Sequence, residues 1–237
     1  MVTLGDQDFT QSAIRVVNRQ KRRNGVLVRR AEIVDIASLM ELNTSSIRYL
    51  GRKGLFMPMP EAFFTRMVAD GVAIVLEKEG RALGYSVAVP AGKCNEAFLP
   101  VTSTSRAGLL FGTALDPALR GQGWQKSLID IRVEIFKNSG FSEVQSTVSP
   151  SNIPSLINLI DSGFQVSGLK TMLDNYPRFL VRHDIHGGEK GARNCRRKLV
   201  LTPSEGLSDH KSILNEGFVG IQVIRSRPIV IVYAKKK

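Results

Sequence analysis

The sequence predicts an α/β (α+β) protein in which helices flank one mixed, mostly antiparallel central sheet. Two strand-like runs, Val72 to Leu76 and Leu83 to Val89, are separated by Glu79-Gly80-Arg81, a spacing that predicts a hairpin. Farther along, an apolar strand from Gly108 to Leu115 leads through a glycine loop into an amphipathic helix, and another strand follows at residues 141–148. With 237 residues, 43% of them hydrophobic, the chain can bury a sizeable core.

The amino-terminal third contributes packing elements. Residues 9–23 predict a short basic helix, and Asn24-Gly25 predicts a turn before a first strand at residues 26–28. Apolar residues at helical spacing predict two more helices, one through Ile33 to Met40 and one from Pro60 to Ala69. These helices carry no residues arranged for chemistry, so we interpret them as elements that pack on the sheet.

The middle of the chain alternates loops and helices. A long loop at residues 90–100 is a candidate to face a substrate because of its length. Beyond the glycine loop, apolar residues from Trp124 to Ile135 form one helical stripe. A second stripe, from Ile153 to Ile160, predicts a helix that Asn152 or the preceding serine caps and that Gly163 ends.

The carboxy-terminal segment echoes the end of that second helix. LIDSGFQV at residues 159–166 is similar to ILNEGFVG at residues 213–220, and an apolar strand follows each, at residues 179–181 and 229–233. We interpret the echo as a chance similarity of two helix ends. The glycine-rich, charged stretch HGGEKGARNCRRK, residues 186–198, predicts a mobile linker. The segment beyond it is expected to extend the sheet, to cap it or to exchange with a second subunit.

Composition and charge narrow the function classes. Lys and Arg outnumber Asp and Glu by 33 to 21, a net charge of +12 that favours anionic partners such as phosphates, coenzyme A or nucleic acid. The basic runs lack interleaved aromatic residues, so nucleic-acid binding is not favoured.

No apolar run reaches the ~20 residues of a membrane span, and we expect a soluble cytoplasmic protein without a membrane partner. Cys94 and Cys195 lack the spacing of a disulfide framework or a zinc site. The sequence does not determine the oligomeric state, and a homodimer is one of the states that it allows.

The glycine loop, RGQGWQ at residues 120–125, is the most informative segment. Small residues let backbone N–H groups approach an anion closely, and at the start of a helix these donors point with the helix dipole at one place. Gly121 and Gly123 allow that approach, and Arg120 adds a positive charge. A glycine pair beside an arginine is more often a simple turn, but the preceding strand and the following helix favour a site for an anion.

In this context the chain resembles the GNAT superfamily of N-acetyltransferases. The phosphate loop of that family consists of Arg or Gln, two residues, Gly, one residue, and then Gly or Ala. Arg120, Gly123 and the preceding strand with Asp116-Pro117 match this pattern. The run from Asn152 to Gly163-Phe164 is similar to the second cofactor-side helix of the family and its ending.

The resemblance implies an acetyl-coenzyme A-dependent N-acyltransferase, with acetyl-coenzyme A as co-substrate and no metal. Such an enzyme transfers an acetyl group to a primary amine, of a small molecule or a protein, by direct attack in a ternary complex. The implied GNAT-like domain spans residues 25–185, its sheet splayed around the co-substrate. A basic segment at residues 1–24 precedes it, and a helix and strand extension at residues 186–237 packs on the sheet or extends it.

The resemblance also implies which residues hold the co-substrate. Arg120 and the amides of the loop would bind the pyrophosphate, and main-chain groups of Thr113 and Leu115 would bind the pantetheine arm as an added strand would. Asn152 would lie beside that arm; it is otherwise a helix cap, as Leu115 is otherwise a core residue. The implied set is Thr113, Leu115, Arg120, Gly121, Gln122, Gly123, Trp124, Gln125 and Asn152.

Two positions depart from the family pattern. Gln125 stands where the family has Gly or Ala, which crowds the approach to phosphate. Leu159 stands where many members have the tyrosine that protonates the departing thiolate, and Tyr176 is the candidate to replace it.

A general base is also needed, because an amine such as lysine has a pKa of ~10.4 and must lose a proton before it attacks. The strand from Gly108 to Leu115 carries no carboxylate. Glu96, His183, Asp184 and Glu77 are the candidates, and each is otherwise a surface or structural residue.

Two other functions stay open. A non-catalytic acyl-coenzyme A sensor or scaffold is favoured by Leu159 and by the strand without carboxylates. An RNA- or ribosome-associated acetyltransferase that docks through its basic termini would bind RNA with a steep salt dependence. The sequence leaves the acceptor unidentified, although the net positive charge argues against a polycation.

Overall fold

The computed structural model describes residues 6–18, 24–51, 54–56, 58–69, 73–93, 107–172, 175–187, 195–200 and 202–236. The helices of these ranges are α1 (Asp6–Asn18), α2 (Ile36–Leu50), α3 (Glu61–Ala69), α4 (Trp124–Asn138), α5 (Ile153–Asp161) and α6 (Leu207–Asn215). The strands are β1 (Leu27–Arg30), β2 (Ala73–Lys78), β3 (Arg81–Pro90), β4 (Ala107–Leu115), β5 (Glu143–Val148), β6 (Gln165–Met172), β7 (Tyr176–Asp184), β8 (Cys195–Val200), β9 (Val219–Ile224) and β10 (Val230–Lys236). Within the described ranges, every helix is too short or too polar to cross a membrane.

One sheet joins these ten strands of the described chain in the order β1-β2-β3-β4-β5-β7-β6-β9-β10-β8. Neighbouring strands are antiparallel except β4 and β5, which run parallel, as the helical crossover through α4 requires. The predicted mixed, mostly antiparallel sheet flanked by helices is therefore confirmed. Of the three arrangements expected for the carboxy-terminal segment, the structure has the one in which it extends the sheet.

The amino-terminal helix α1 packs on the core. Phe9 stacks on Phe136 of α4, with ring centroids 5.2 Å apart, and Phe9, Val16 and Val17 are buried. Burial of each such side chain contributes about 1.5 to 3 kcal/mol. The helix predicted at residues 9–23 begins earlier, at Asp6, and its described part ends at Asn18.

Helix α2 packs on the sheet and holds the segment that follows it. Ile33, one of the residues that predicted this helix, lies in a 3-10 turn before it and is 78% exposed, so its predicted packing is wrong. Leu39 is buried as predicted. Asn43 Nδ2 donates a 2.8 Å hydrogen bond to the Tyr85 hydroxyl of β3, and Asn43 Oδ1 accepts a 3.1 Å bond from the Met59 amide. These two bonds fix the segment after α2 against the sheet.

The carboxy-terminal half of the sheet contains the same chain path twice. We call β5, α5, β6 and β7 the first βαββ unit, and β8, α6, β9 and β10 the second. In each unit the last strand lies between the other two, and β6 pairs with β9 where the units meet. Gly163-Phe164 and Gly217-Phe218, 54 residues apart, end the two helices with the same backbone hydrogen bonds to the last turn. The echo belongs to a repeated topology, and its interpretation as a similarity of helix ends alone is wrong.

Strand β8 corrects the linker prediction. Cys195–Val200 pairs antiparallel with β10, with Leu199 opposite Val232, and forms the edge of the sheet. Residues 188–194 of the predicted linker lie outside the described residues. The charged stretch Cys195 to Lys198 hides the strand from a pattern analysis, because its apolar residues come only at the end.

The second unit closes around a buried histidine. His210 of α6 is fully buried, and its Nε2 donates to the Thr202 carbonyl at 2.9 Å. Its Nδ1 accepts from the Tyr233 hydroxyl of β10 at 2.8 Å. Burial lowers the pKa of His210 from its ordinary value of 6.5, against smaller opposing contributions from Thr202 and Asp209. His210 is therefore neutral at pH 7.

Candidate functional site

The sheet opens at its parallel junction. Strands β4 and β5 pair only at Ala107 to Leu109 with Glu143 to Gln145, and then they separate. The gap is part of a cleft of about 690 Å³ lined by the exposed edges of both strands, the glycine loop, the starts of α4 and α5, and the segment after α2. The volume lies within the roughly 300 to 1,000 Å³ typical of small-molecule sites.

The glycine loop closes one end of the cleft. The Asp116 carboxylate accepts a 2.9 Å hydrogen bond from the Ala118 amide, which turns the chain after β4. Gly121 and Gly123 then adopt φ values of +73° and +79°, a region that strains other residues, and Gly123 is the N-cap of α4. Amides of the first turn of a helix have no acceptor within the helix, so the turn directs donors and the positive helix end at the cleft.

Eight of the nine predicted co-substrate residues line the cleft: Thr113, Leu115, Arg120, Gly121, Gly123, Trp124, Gln125 and Asn152. Gln122 is the exception among them. Its side chain is exposed, and its Nε2 donates to the Ala118 carbonyl at 2.6 Å. The fold thus brings together eight of the nine residues that the resemblance implies, while their binding roles stay predictions.

Arg120 is held at the mouth of the cleft by contacts within the protein. Its Nε donates to the Leu115 carbonyl at 3.1 Å, and its guanidinium stacks 3.6 Å above the ring centroid of Tyr49. Tyr49, on α2, is 65% exposed and was not identified from the sequence. One guanidinium nitrogen, Nη1, is buried without an acceptor among the described residues, so Arg120 retains a donor for an anion.

Gln125 does not crowd the glycine loop. Its Nε2 donates to Ser155 Oγ at 2.7 Å, and its Oε1 accepts from Asn158 Nδ2 at 2.8 Å. Both partners lie on α5, so the side chain ties the start of α4 to α5. The residue that departs from the family pattern therefore acts as a brace between the two helices.

Helix α5 forms the floor beside that brace. Asn152 caps it, and its Oδ1 accepts a 3.3 Å bond from the Ser155 amide. Leu159 lines the cleft with an apolar side chain at the position where the family pattern has tyrosine. The capping role of Asn152 is thus present, and its predicted contact with the pantetheine arm stays a prediction.

A buried arginine supports the irregular part of β4. Gly112 is an extra residue in this strand, because Ser86 faces Thr113 while Val87 faces Phe111. Arg132 of α4 donates to the carbonyls of Val87 at 3.1 Å and Phe111 at 3.0 Å, and to Thr113 Oγ1 at 3.0 Å.

These acceptors satisfy the Arg132 guanidinium, which is 2% exposed and whose pKa burial lowers to about 9. Arg132 is still a cation at neutral pH. Arg132 was not identified from the sequence, where it looks like one charged residue of an amphipathic helix.

The predicted catalytic residues do not line the cleft as far as the structure describes them. Glu96 lies outside the described residues. Tyr176 is partly buried, and its ring packs directly against Gly54. The His183 ring packs on Phe164, with centroids 5.3 Å apart. The catalytic roles of Tyr176, His183 and Glu96 stay predictions.

The other two candidate bases are engaged elsewhere. Arg29 Nε donates a 2.5 Å hydrogen bond to the Glu77 carboxylate and forms an ion pair with it. The Asp184 carboxylate accepts hydrogen bonds from the backbone amides of Gly187 and His186. These two amide bonds hold the pKa of Asp184 below its ordinary value. Neither side chain lines the cleft.

The described lining of the cleft is cationic. It contains Arg120, Arg132 and Arg178 and no Asp, Glu or His. Arg178, on β7, was not identified from the sequence, where it stands between Pro177 and Phe179 without a distinguishing pattern. No three His, Cys, Asp or Glu side chains of the described residues converge as a metal site requires.

The sequence matches no protein-family model, and no curated protein matches it. Solved structures are similar. Ard1 from Thermoplasma volcanium has a TM-score of 0.55 at 13% identity, over 69% of this chain and 99% of that one. AAC(6')-Ib in complex with ribostamycin and coenzyme A has a TM-score of 0.54 at 19% identity, over 68% and 94%. The ribosomal-protein-S18-alanine N-acetyltransferase from Escherichia coli has a TM-score of 0.50 at 14% identity, over 70% and 99%. Likeness at such identities shows a shared fold.

Proposed function

We propose that this chain, which has the GNAT fold, binds acetyl-coenzyme A in the cleft between β4 and β5 and transfers the acetyl group to a primary amine. The observation that carries the proposal is the opening of the sheet directly beside a glycine loop that starts a helix. An open strand edge fits an extended arm with amide groups, and the helix start fits a pyrophosphate. The same two features occur together in one cleft.

Each end of the co-substrate has a proposed partner. Arg120 and the amides of the glycine loop bind the pyrophosphate, with Gly121 and Gly123 permitting the close approach. The pantetheine arm follows the edges of β4 and β5 beyond Leu109, where these strands no longer pair. Asn152 and the brace residue Gln125 hold the start of α5 beside it.

The co-substrate supplies an activated acetyl thioester, and the protein positions the thioester and the amine relative to each other. Apolar side chains of Phe56, Met59 and Leu159 form part of the wall of the cleft. Orientation of two bound reactants alone provides a large acceleration. Because the described lining has no Asp, Glu or His, we propose that water in the open cleft accepts the proton of the amine. Acid–base groups contribute typically 10²- to 10⁴-fold, so we expect a slow enzyme.

Calorimetry with coenzyme A tests the binding site, and release of the coenzyme A thiol with an amine panel tests turnover. Arg120→Ala should weaken coenzyme A binding about tenfold, because a charge-assisted contact to phosphate is lost. Lys211→Ala, which removes an exposed cation from α6, should leave the affinity unchanged. The proposal is wrong if coenzyme A at millimolar concentration gives no binding heat.

A non-catalytic acyl-coenzyme A sensor is the second candidate. It is favoured by the absence of Asp, Glu and His from the described lining and by Leu159 at the tyrosine position. The two functions differ in one measurement. Tight binding of acetyl-coenzyme A with no thiol release for any amine, at protein concentrations in the micromolar range, would favour the sensor over the transferase.

A further inference from the structure

Arg178 is a buried cation of the cleft whose guanidinium has no partner among the described residues. Its side chain lines the cleft, and the residue is only 6% exposed. Its Nε is buried without an acceptor, and the guanidinium has no ion pair or hydrogen bond with the described residues. Burial lowers the pKa of Arg178 from its ordinary value of 12.5.

The buried Arg132 and the half-buried Arg29 are satisfied within the protein. Arg132 donates to three carbonyls and one hydroxyl, and Arg29 pairs with the carboxylates of Asp35 and Glu77. Buried charges in proteins are normally paired in this way. A buried, unpaired arginine in the wall of a cleft is therefore placed for a ligand that brings its own negative charge.

The sheet register places Arg178 on the side of the cleft away from α5. On β7, Phe179, Val181 and His183 share one face, and His183 of that face packs on Phe164 at the end of α5. Arg178 belongs to the alternate face. The proposed contacts of the co-substrate with Asn152 are on α5, so Arg178 does not share their side of the sheet.

The Arg178 side is bounded by the segment after α2. Tyr176, on the same face of β7, packs against Gly54, and the neighbouring Phe56 and Met59 line the cleft. Met172, at the end of β6, lines it too. This compartment thus combines apolar walls with a single unpaired guanidinium among its described residues. One fork of donors fits one carboxylate in a bidentate pair.

We propose that Arg178 binds a carboxylate of the acceptor, which makes the acceptor a small amine that is also an acid, in the chemical class of the amino acids. This inference rests on the proposed transfer to an amine. A polycationic amine is disfavoured by the same geometry, because the described cleft has three arginines and no carboxylate to receive it.

Binding of matched ligand pairs tests the assignment without requiring turnover. The probes are N-acetylated amino acids and their primary amides, which have nearly equal shapes and differ in the charge of the carboxylate, and their binding to the coenzyme A complex is measured calorimetrically. At least one acid should bind about tenfold or more tightly than its amide. If no acid of the panel is preferred by the wild-type protein, the assignment is wrong.

Variants locate the effect. Arg178→Met should abolish the preference for the acid and leave the affinity for coenzyme A unchanged. Arg182→Met is the matched control, because Arg182 lies on the same face of the same strand, has a 54% exposed side chain and does not line the cleft. It should keep the preference. A preference that survives in Arg178→Met, or a parallel loss of coenzyme A affinity there, overturns the assignment.

Turnover is measured separately with amino acids and the corresponding amino acid amides. Loss of thiol release with every amine, together with a retained preference for acids in binding, would overturn the transferase and leave Arg178 as an acid-binding residue. Transfer to amides as fast as to acids by the wild-type protein would overturn the role of Arg178 and leave the transferase. The two failures are thus distinguishable.

Discussion

The two βαββ units share a chain path and differ in what they enclose. The first unit opens beside β4 and contributes Asn152 and Arg178 to the cleft, whereas the second has β8 at the edge of the sheet. At the offset of 54 residues, Asn152 corresponds to Gly206 and Arg178 to Val232. Gly206 is the N-cap of its helix, as Asn152 is, and Val232 is buried. The second unit therefore repeats the topology of the first without its polar cleft residues.

The second unit has its own polar interior instead. His210 occupies the position of Leu156, and Tyr233 that of Phe179. Their hydrogen bond joins α6 to β10 and satisfies both groups without a ligand. One unit thus completes its polar contacts within the protein, and the other leaves a cation uncompensated. Under the proposed function the first unit contributes to binding, whereas the second unit extends the sheet.

The largest expected effect on stability comes from introducing an arginine into the second unit at the position that corresponds to Arg178. Val232→Arg places an unpaired charge at a buried position without a cleft, and it should lower the free energy of unfolding by about 3 to 5 kcal/mol. Val232→Leu is the control and should change it by less than about 1.5 kcal/mol. Urea denaturation measures both. A loss below about 1 kcal/mol for the arginine would mean that the second unit can also accommodate a charge.

Arg132 tests how the open side of the first unit is maintained. Arg132→Met leaves the carbonyls of Val87 and Phe111 without their donor next to the extra residue in β4, and we expect a loss of about 3 kcal/mol in unfolding free energy. Lys137→Met, at an exposed position of the same helix, should stay within about 0.5 kcal/mol. Equal effects for the two variants would contradict the supporting role of Arg132.

Arg178→Met should have the opposite sign. Replacing an uncompensated buried cation with an apolar side chain should raise the free energy of unfolding by about 1 kcal/mol, while acid binding is lost. Arg182→Met, at an exposed position of the same strand, should leave stability within about 0.5 kcal/mol. A lower stability for Arg178→Met than for the wild-type protein would show that the guanidinium has partners within the protein.

Local sequence chemistry predicts one part of this site and not the other. The hairpin, the strand before the glycine loop and the helix starts follow from turn residues and apolar spacing, which act over a few residues. Gly121 and Gly123 identify the loop for the same reason. Asp116-Pro117 marks the end of β4 just as locally, by capping the next turn.

The cationic lining depends on distant segments, so no local pattern reveals it. Arg178 is significant only because β7 meets the segment after α2, through Tyr176 and Gly54. Arg132 looks like one charge on an amphipathic helix until the extra residue Gly112 brings carbonyls within reach. Gln125 was predicted to crowd the phosphate, and only the position of α5 shows where its side chain bonds.

The smallest expected effect is a pH dependence confined to the second unit. Because burial lowers the pKa of His210, the unfolded chain binds a proton below pH 6.5 that the folded protein resists. Stability supplied by the neutral ring is complete above that value and is lost as the pH falls through it toward the lower folded pKa. His210→Leu, which copies Leu156 of the first unit, should flatten the dependence of unfolding free energy on pH between 7 and about 5. Tyr233→Phe keeps the titrating ring and should retain the dependence, so an unchanged slope in His210→Leu would assign the dependence to groups outside the second unit.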